Sequence, residues 1–168
     1  MPTAGLERLG SLARELADDP GLTGVESAKK RIYLASDASL DGYGVVDLDT
    51  GNQVRGVWKH VHVTGDMYYL EALAAKRAVM YAPANTEIIL ITDNMGLVWS
   101  LRKRSSRCPR TARVLAEMHE AMEARGQTLR VVHVGTKENP ADAPSRGDRA
   151  ERDKITTVRQ RADAVLYG

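Results

Sequence analysis

The run Ile88-Ile89-Leu90-Ile91 constrains the fold more than any other stretch of the chain. Successive side chains of a strand point to opposite faces, and here all four are apolar, so a strand at this position has to be covered on both sides. That requires a layered α/β architecture with this strand near its centre. The run ends at Thr92-Asp93, and Asn94-Met95-Gly96 opens a short helical segment. Asp93 therefore falls where the carboxyl end of a strand meets a helix start, the edge at which α/β sheets bind ligands. An aspartate so placed can equally be the N-cap of the following helix. Nothing local separates the two readings.

The remaining elements follow from their periodicity. Arg31–Asp37 reads as a strand that again ends in a carboxylate. Ser39-Leu40-Asp41-Gly42 and Asp49-Thr50-Gly51-Asn52 read as turns, so Tyr43–Asp47 and Gln53–His60 complete an antiparallel meander, with Asp41, Asp47 and Asp49 as turn residues. Met67–Tyr81 is a helix by the spacing of Leu70, Leu73, Ala74, Arg77, Ala78 and Tyr81. Glu71 shares a side with Ala74, Ala75 and Ala78, small residues that let a helix approach a sheet and aim a carboxylate at the strand ends. A solvated Glu favoured by the helix dipole is the other reading.

Beyond Asp93, Met95–Leu101 is a short helix. Thr111–Arg125 is another, with Val114, Leu115, Met118 and Met122 inward and Gly126 as its stop. Thr128–Val134 is a fifth strand. Pro140 suits the first position of a helix that carries Asp142 in its first turn, and Arg149–Leu166 continues as a terminal helix after a break at Ser145-Arg146-Gly147. The expectation is an α/β domain with a five-stranded mixed sheet, its first three strands antiparallel, flanked by helices. Residues 1–30 would supply an N-terminal helix and linker, 31–147 the α/β domain and 148–168 a C-terminal helix.

At 168 residues, with 43% hydrophobic and 27% charged residues, the composition is that of one globular domain. No apolar run approaches the length of a membrane span, and the N-terminus lacks the apolar core of a signal peptide. Cys108 is the single cysteine, which excludes an internal disulfide and points to a reducing compartment, the cytoplasm. A net charge of +2 names no partner, but six basic residues and no acid lie between Arg102 and Arg113. Such a run can grip phosphates or be a solvated loop. Trp99, just before it, lines a groove or touches a sugar, or is core like Trp58. His60, His62 and His119 lack partners at metal-ligand spacing.

Four acids thus occupy comparable settings: Asp37 ending strand one, Glu71 in the first helix, Asp93 ending strand four and Asp142 opening the helix after strand five. If strands one and four are adjacent, Asp37 and Asp93 become neighbours. Carboxylates converging on one spot cannot all stay ionised without cations. Mg²⁺, which prefers a few carboxylates with water and phosphate oxygens, suits such a site, and a pair of ions suits phosphodiester hydrolysis. There is no Walker loop, no Gly-x-Ser-x-Gly elbow and no His-Glu-x-x-His pair.

Ser36-Asp37-Ala38-Ser39 with Gly42-Tyr43-Gly44, Tyr69-Leu70-Glu71-Ala72-Leu73-Ala74, Ile91-Thr92-Asp93-Asn94, and His133-Val134 with Asn139-Pro140-Ala141-Asp142-Ala143-Pro144-Ser145-Arg146-Gly147 resemble the ribonuclease H family. More narrowly they resemble the RNase H domains of retroelement reverse transcriptases. The resemblance runs from about Arg31 to Gly147. It implies an RNase H-like fold and hydrolysis of the RNA strand of RNA–DNA hybrids with two Mg²⁺ or Mn²⁺ ions held by Asp37, Glu71, Asp93 and Asp142. Asp37 would bridge both ions, Glu71 and Asp93 would hold the nucleophile-side ion and Asp142 the other. It further implies substrate contacts at Ser39, Gly42, Asn94, Arg102, Lys103, Arg104 and Asn139, and a reverse transcriptase or polymerase as partner. Cellular members carry a mobile His in a longer loop before the last Asp. Here eight residues separate His133 from Asp142 and none is His, so His133 is read as a strand residue. An RNase H-like nuclease acting on DNA or structured nucleic acid, and a non-catalytic binding module of a polymerase complex, are the competing readings.

Overall fold

A computed structural model of the chain describes residues 29–59 and 66–168. Its elements are β1 (Lys30–Ala38), β2 (Gly42–Asp47), β3 (Gln53–Val57), α1 (Met67–Tyr81), β4 (Thr86–Thr92), α2 (Met95–Lys103), α3 (Pro109–Ala124), β5 (Thr128–His133), α4 (Asp142–Ser145) and α5 (Arg152–Tyr167), with a 3₁₀ turn at Thr136–Glu138. The sheet order is β3-β2-β1-β4-β5. The β1–β2 and β2–β3 pairs are antiparallel and the β4–β5 pair is parallel, which makes the sheet mixed as expected. β1 and β4 are neighbours, the condition on which the meeting of Asp37 and Asp93 depended.

The apolar run does what its lack of alternation required. Ile88 and Leu90 enter a core shared with α1, α2 and α3, while Ile89 and Ile91 enter a second core shared with α5. All four are fully buried, and each contributes at most about 1.5–3 kcal/mol by area. α1 starts where Asp66 accepts a hydrogen bond from the Tyr69 N–H at 3.2 Å. Ala72, Ala74, Ala75 and Ala78 are fully buried, so at these positions α1 meets its neighbours with Cβ atoms alone. α5 is fastened across the other face by Val158 and Ala162, by a Tyr33 hydroxyl that donates to Asp163, and by Arg159, which lies 3.4 Å above the Tyr33 ring.

A close approach at Gly44 fixes where the last acid can sit. α4 packs on β2 at this residue, where a Cβ would fall 2.6 Å from the Pro144 Cβ and 2.7 Å from the Ser145 backbone nitrogen. Only glycine admits α4 at this distance.

Several boundaries differ from expectation. The third strand stops at Val57, because the Trp58 N–H turns to the Asp41 carbonyl at 3.1 Å and its indole N–H to the Ser39 carbonyl at 2.8 Å. α3 begins at Pro109 rather than Thr111, with the proline at its first turn, and α5 begins at Arg152 rather than Arg149. Gly126 follows the end of α3 at φ +67°, the left-handed stop that its position suggested. The N-terminal helix expected at Gly5–Ala17, His60 and His62 lie outside the described residues. Among those residues no helix is long and apolar enough to cross a membrane.

Candidate active site

Asp37 is the penultimate residue of β1 and pairs in register with Gly44. Asp93 is the first residue after β4, and Glu71 is the fifth residue of α1. One carboxylate oxygen from each lies within 4.8 Å of the others. Glu71 is 4% exposed and Asp37 also 4%, which removes the solvated-helix reading of Glu71. The N-cap reading of Asp93 also falls away. Asn94 caps α2 instead, its Oδ1 accepting from the Leu97 N–H at 2.8 Å.

Burial is the main cause of the electrostatic state of this cluster, and mutual repulsion adds to it. Asp37 is pushed up to about 7, first by desolvation and then by the charge of Asp93. Glu71 is pushed up to about 10, by desolvation and then by Asp37. Asp93 is raised by desolvation, against which a hydrogen bond from Asn139 and the nearby His133 act. Glu71 Oε1 is buried and has no hydrogen-bond partner. A buried lone pair without a donor, inside three converging oxygens, fits a hard cation with oxygen ligands better than any neutral arrangement.

Asp142 stands apart from the other three. Its carboxylate is half-buried, pairs with the Arg146 guanidinium at 3.3 Å, and is absent from the tight group, yet it is near enough to raise the Asp37 carboxyl. Its helix is anchored to the Asp37 turn. The Ser39 hydroxyl donates to the Ser145 carbonyl at 2.7 Å, and the Ser145 hydroxyl reaches the Asp142 carbonyl at 2.7 Å and Asp37 Oδ2 at 3.4 Å. Sequence reasoning did not single out Ser145 as a site residue; its place one helical turn after Asp142 was the available signal. The Asp142–Arg146 pair had the same kind of signal, an i,i+4 spacing.

Three of the candidate substrate contacts, Asn139, Ser39 and Gly42, are buried. Asn139 is fully buried: its amide donates to the Ser36 carbonyl at 3.0 Å and to Asp93 Oδ2 at 3.4 Å, and its oxygen accepts from the Ala141 N–H at 3.0 Å. It positions Asp93. Ser39 is 3% exposed, with its hydroxyl committed to α4 and to the Asp41 and Gly42 N–H groups. Gly42 is buried against β3, where a Cβ would lie 2.0 Å from the Gly56 carbonyl oxygen. His133 ends β5, and its Nε2 lies 3.2 Å from the Asp93 carbonyl oxygen.

Arg102, Lys103 and Arg104 are exposed. The first two each lie 5.9 Å from the centroid of the Trp99 ring, itself 53% exposed, and Arg104 closes α2 in the left-handed conformation at φ 57°. The loop behind them is pinned by the Tyr68 hydroxyl, which joins Ser100 at 2.5 Å and Ser106 at 2.7 Å. At ~1.5 Å per residue, α2 sets this basic end about 15 Å from Asp93 along the helix.

No protein-family model and no curated protein matches the sequence. Solved structures do match the fold. The chain is similar to ribonuclease H1 from the halophilic archaeon Halobacterium salinarum, with a TM-score of 0.53 and 18% identity over 68% of this chain and 93% of that one. It is similar to LC11-RNase H1, solved in complex with an RNA/DNA hybrid, with a TM-score of 0.56 and 18% identity over 71% and 95%. The N-terminal RNase H domain of a Mycobacterium tuberculosis protein matches with a TM-score of 0.55 and 13% identity over 79% and 99%. The architecture is therefore the RNase H-like fold.

Proposed function

We propose that this chain is a divalent-metal-dependent endonuclease of the ribonuclease H type, which hydrolyses the RNA strand of RNA–DNA hybrids. The observation that carries the reading is the convergence of Asp37, Glu71 and Asp93 within 4.8 Å on an RNase H-like fold. Asp37, Glu71 and Asp93 would hold one Mg²⁺ or Mn²⁺ ion, and Asp37 with Asp142 a second. Ions bound there would supply the charge that generates a hydroxide nucleophile from water and stabilises the leaving oxygen of the phosphodiester. The protein's own part is positioning. Asn139 holds Asp93, Ser145 holds α4 against Asp37, and Arg102, Lys103 and Arg104, with Asn94 at the head of α2, offer contacts to the hybrid backbone.

The Asn139–Asp142 and Ser145–Gly147 motifs support a narrower placement beside retroelement RNase H domains, with a reverse transcriptase or polymerase as partner, and the single cysteine supports the cytoplasm as the setting. Cleavage of a labelled RNA–DNA hybrid with Mg²⁺, its loss in EDTA, and its loss in D37N and D93N test the assignment. Robust cleavage by either variant refutes it. Duplex RNA, duplex DNA and junction substrates run alongside separate a nuclease of different specificity, and no hydrolysis of any of them with Mg²⁺ or Mn²⁺ leaves a binding module.

A further inference from the structure

β5 closes one end of the strand order, so among the described residues one of its edges has no strand beside it. Its backbone orientation can be read from one bond, in which the Val134 N–H donates to the Thr92 carbonyl at 3.0 Å. Successive residues of a strand direct their N–H and C=O groups to opposite sides. Arg130 and Val132 therefore face β4, and Leu129 and Val131 turn theirs to the open edge.

That edge runs along a groove of about 710 Å³ between the α2–α3 layer and the last turn of α5. The groove has an apolar side, made by Leu101, Met122, Leu129 and Val131 within it and by Val165, 62% exposed, at its rim. Its charged groups are Arg102, Arg104 and Arg130 against a single acid, Glu123. In its wall, both ring nitrogens of His119 are buried without a hydrogen-bond partner.

An open strand edge between apolar walls accepts an extended segment as an added strand, with backbone hydrogen bonds for affinity and alternate side chains for selectivity. The guanidiniums choose among occupants. A second copy pairing through β5 would set Arg130 and its neighbours against their own duplicates, the arrangement by which charged edges resist self-association. An acidic segment meets complementary charge. We propose that the open edge of β5 binds an extended acidic segment of a partner protein by strand addition, with carboxylate side chains alternating with β-branched apolar ones. The groove shares no residue with the carboxylate cluster, but it shares Arg102 and Arg104 with the basic end proposed to contact the hybrid; the proposal does not depend on catalysis.

The test uses the full chain and two short capped peptides, one alternating glutamate with valine and the other lysine with valine, while amide hydrogen exchange is followed residue by residue. The acidic peptide is expected to slow exchange at Leu129 and Val131 by about tenfold or more and to leave Arg130 and Val132, already facing β4, unchanged. The lysine peptide is expected to do neither. R130E and V165E alter exposed side chains; each is expected to retain the native circular dichroism spectrum and to weaken the acidic peptide by about tenfold, equivalent to ~1.4 kcal/mol. Equal binding of the two peptides, absence of protection at Leu129 and Val131, or protection in the free protein that grows with its concentration each overturns the proposal.

Discussion

The carboxylate cluster and the basic end of α2 are two charged regions built in opposite ways. Asp37 and Glu71 are buried and pushed toward protonation by their surroundings. Arg102, Lys103 and Arg104 are exposed and rest on Trp99 and the end of a helix. A buried charge is expensive and demands one geometry, so single substitutions there act through chemistry. An exposed charge is screened and interchangeable, so substitutions there act through affinity and in increments.

The largest effect that can break this contrast is loss of a cluster carboxylate. D37N or D93N is expected to lower kcat on a hybrid by at least about a hundredfold, as removal of one preorganised electrostatic group does, while circular dichroism reports an unchanged fold. Next comes the support behind the cluster. N139A strips three buried hydrogen bonds from Ser36, Asp93 and Ala141. It is expected to cost about 1–3 kcal/mol in urea unfolding and to reduce kcat rather than raise KM. An unchanged unfolding midpoint would show that Asn139 is not the strut its contacts describe.

Acidity gives a smaller but signed effect. Asp37, raised to about 7, and Glu71, raised to about 10, keep protons in the folded metal-free chain that they lose near pH ~4 when unfolded. Stability from these groups is therefore complete below about pH 4 and is lost as the pH rises through about 7 and on toward 10. Mg²⁺ competes with the same protons, so its stabilising effect should grow across that interval. Thermal melts at about pH 5 and about pH 8, with and without Mg²⁺, check both signs. A metal-free melting temperature that climbs with pH through this range would contradict the assignment of the shifts to burial. The smallest effect is expected at the basic end. Alanine at Arg102 or Lys103 should weaken hybrid binding severalfold and reduce the salt slope by about 1 for each phosphate no longer neutralised, with kcat at saturation unchanged.

Much of the fold was legible because a few segments carried unambiguous periods. The apolar run of β4 required cover on both faces, and Met67–Tyr81 matches α1 end to end. The meander was legible from its turns, but β3 is shorter than its sequence suggested, since nothing local reveals that Trp58 will turn back to Ser39. The acids were recognisable by type and by position on their elements. Their partners were not. Ser39 and Asn139 look like exposed polar loop residues in the sequence, and only the long-range docking of α4 and its preceding turn shows that both are spent inside. Burial of a polar side chain is a property of tertiary contacts, which a reading by period and motif does not contain.

The seat that Gly44 provides for α4 has a consequence for timing. Asp37, Glu71 and Asp93 are synthesised well before Asp142, and the bond that secures α4, from Ser39 to Ser145, spans 106 positions of sequence. A chain still emerging from the ribosome thus carries three of the four acids without the fourth. Any activity that needs all four begins only after the segment containing Ser145 has left the exit tunnel and closed on the Ser39 turn, so translation itself delays such an activity until the sheet and the helices through α4 exist.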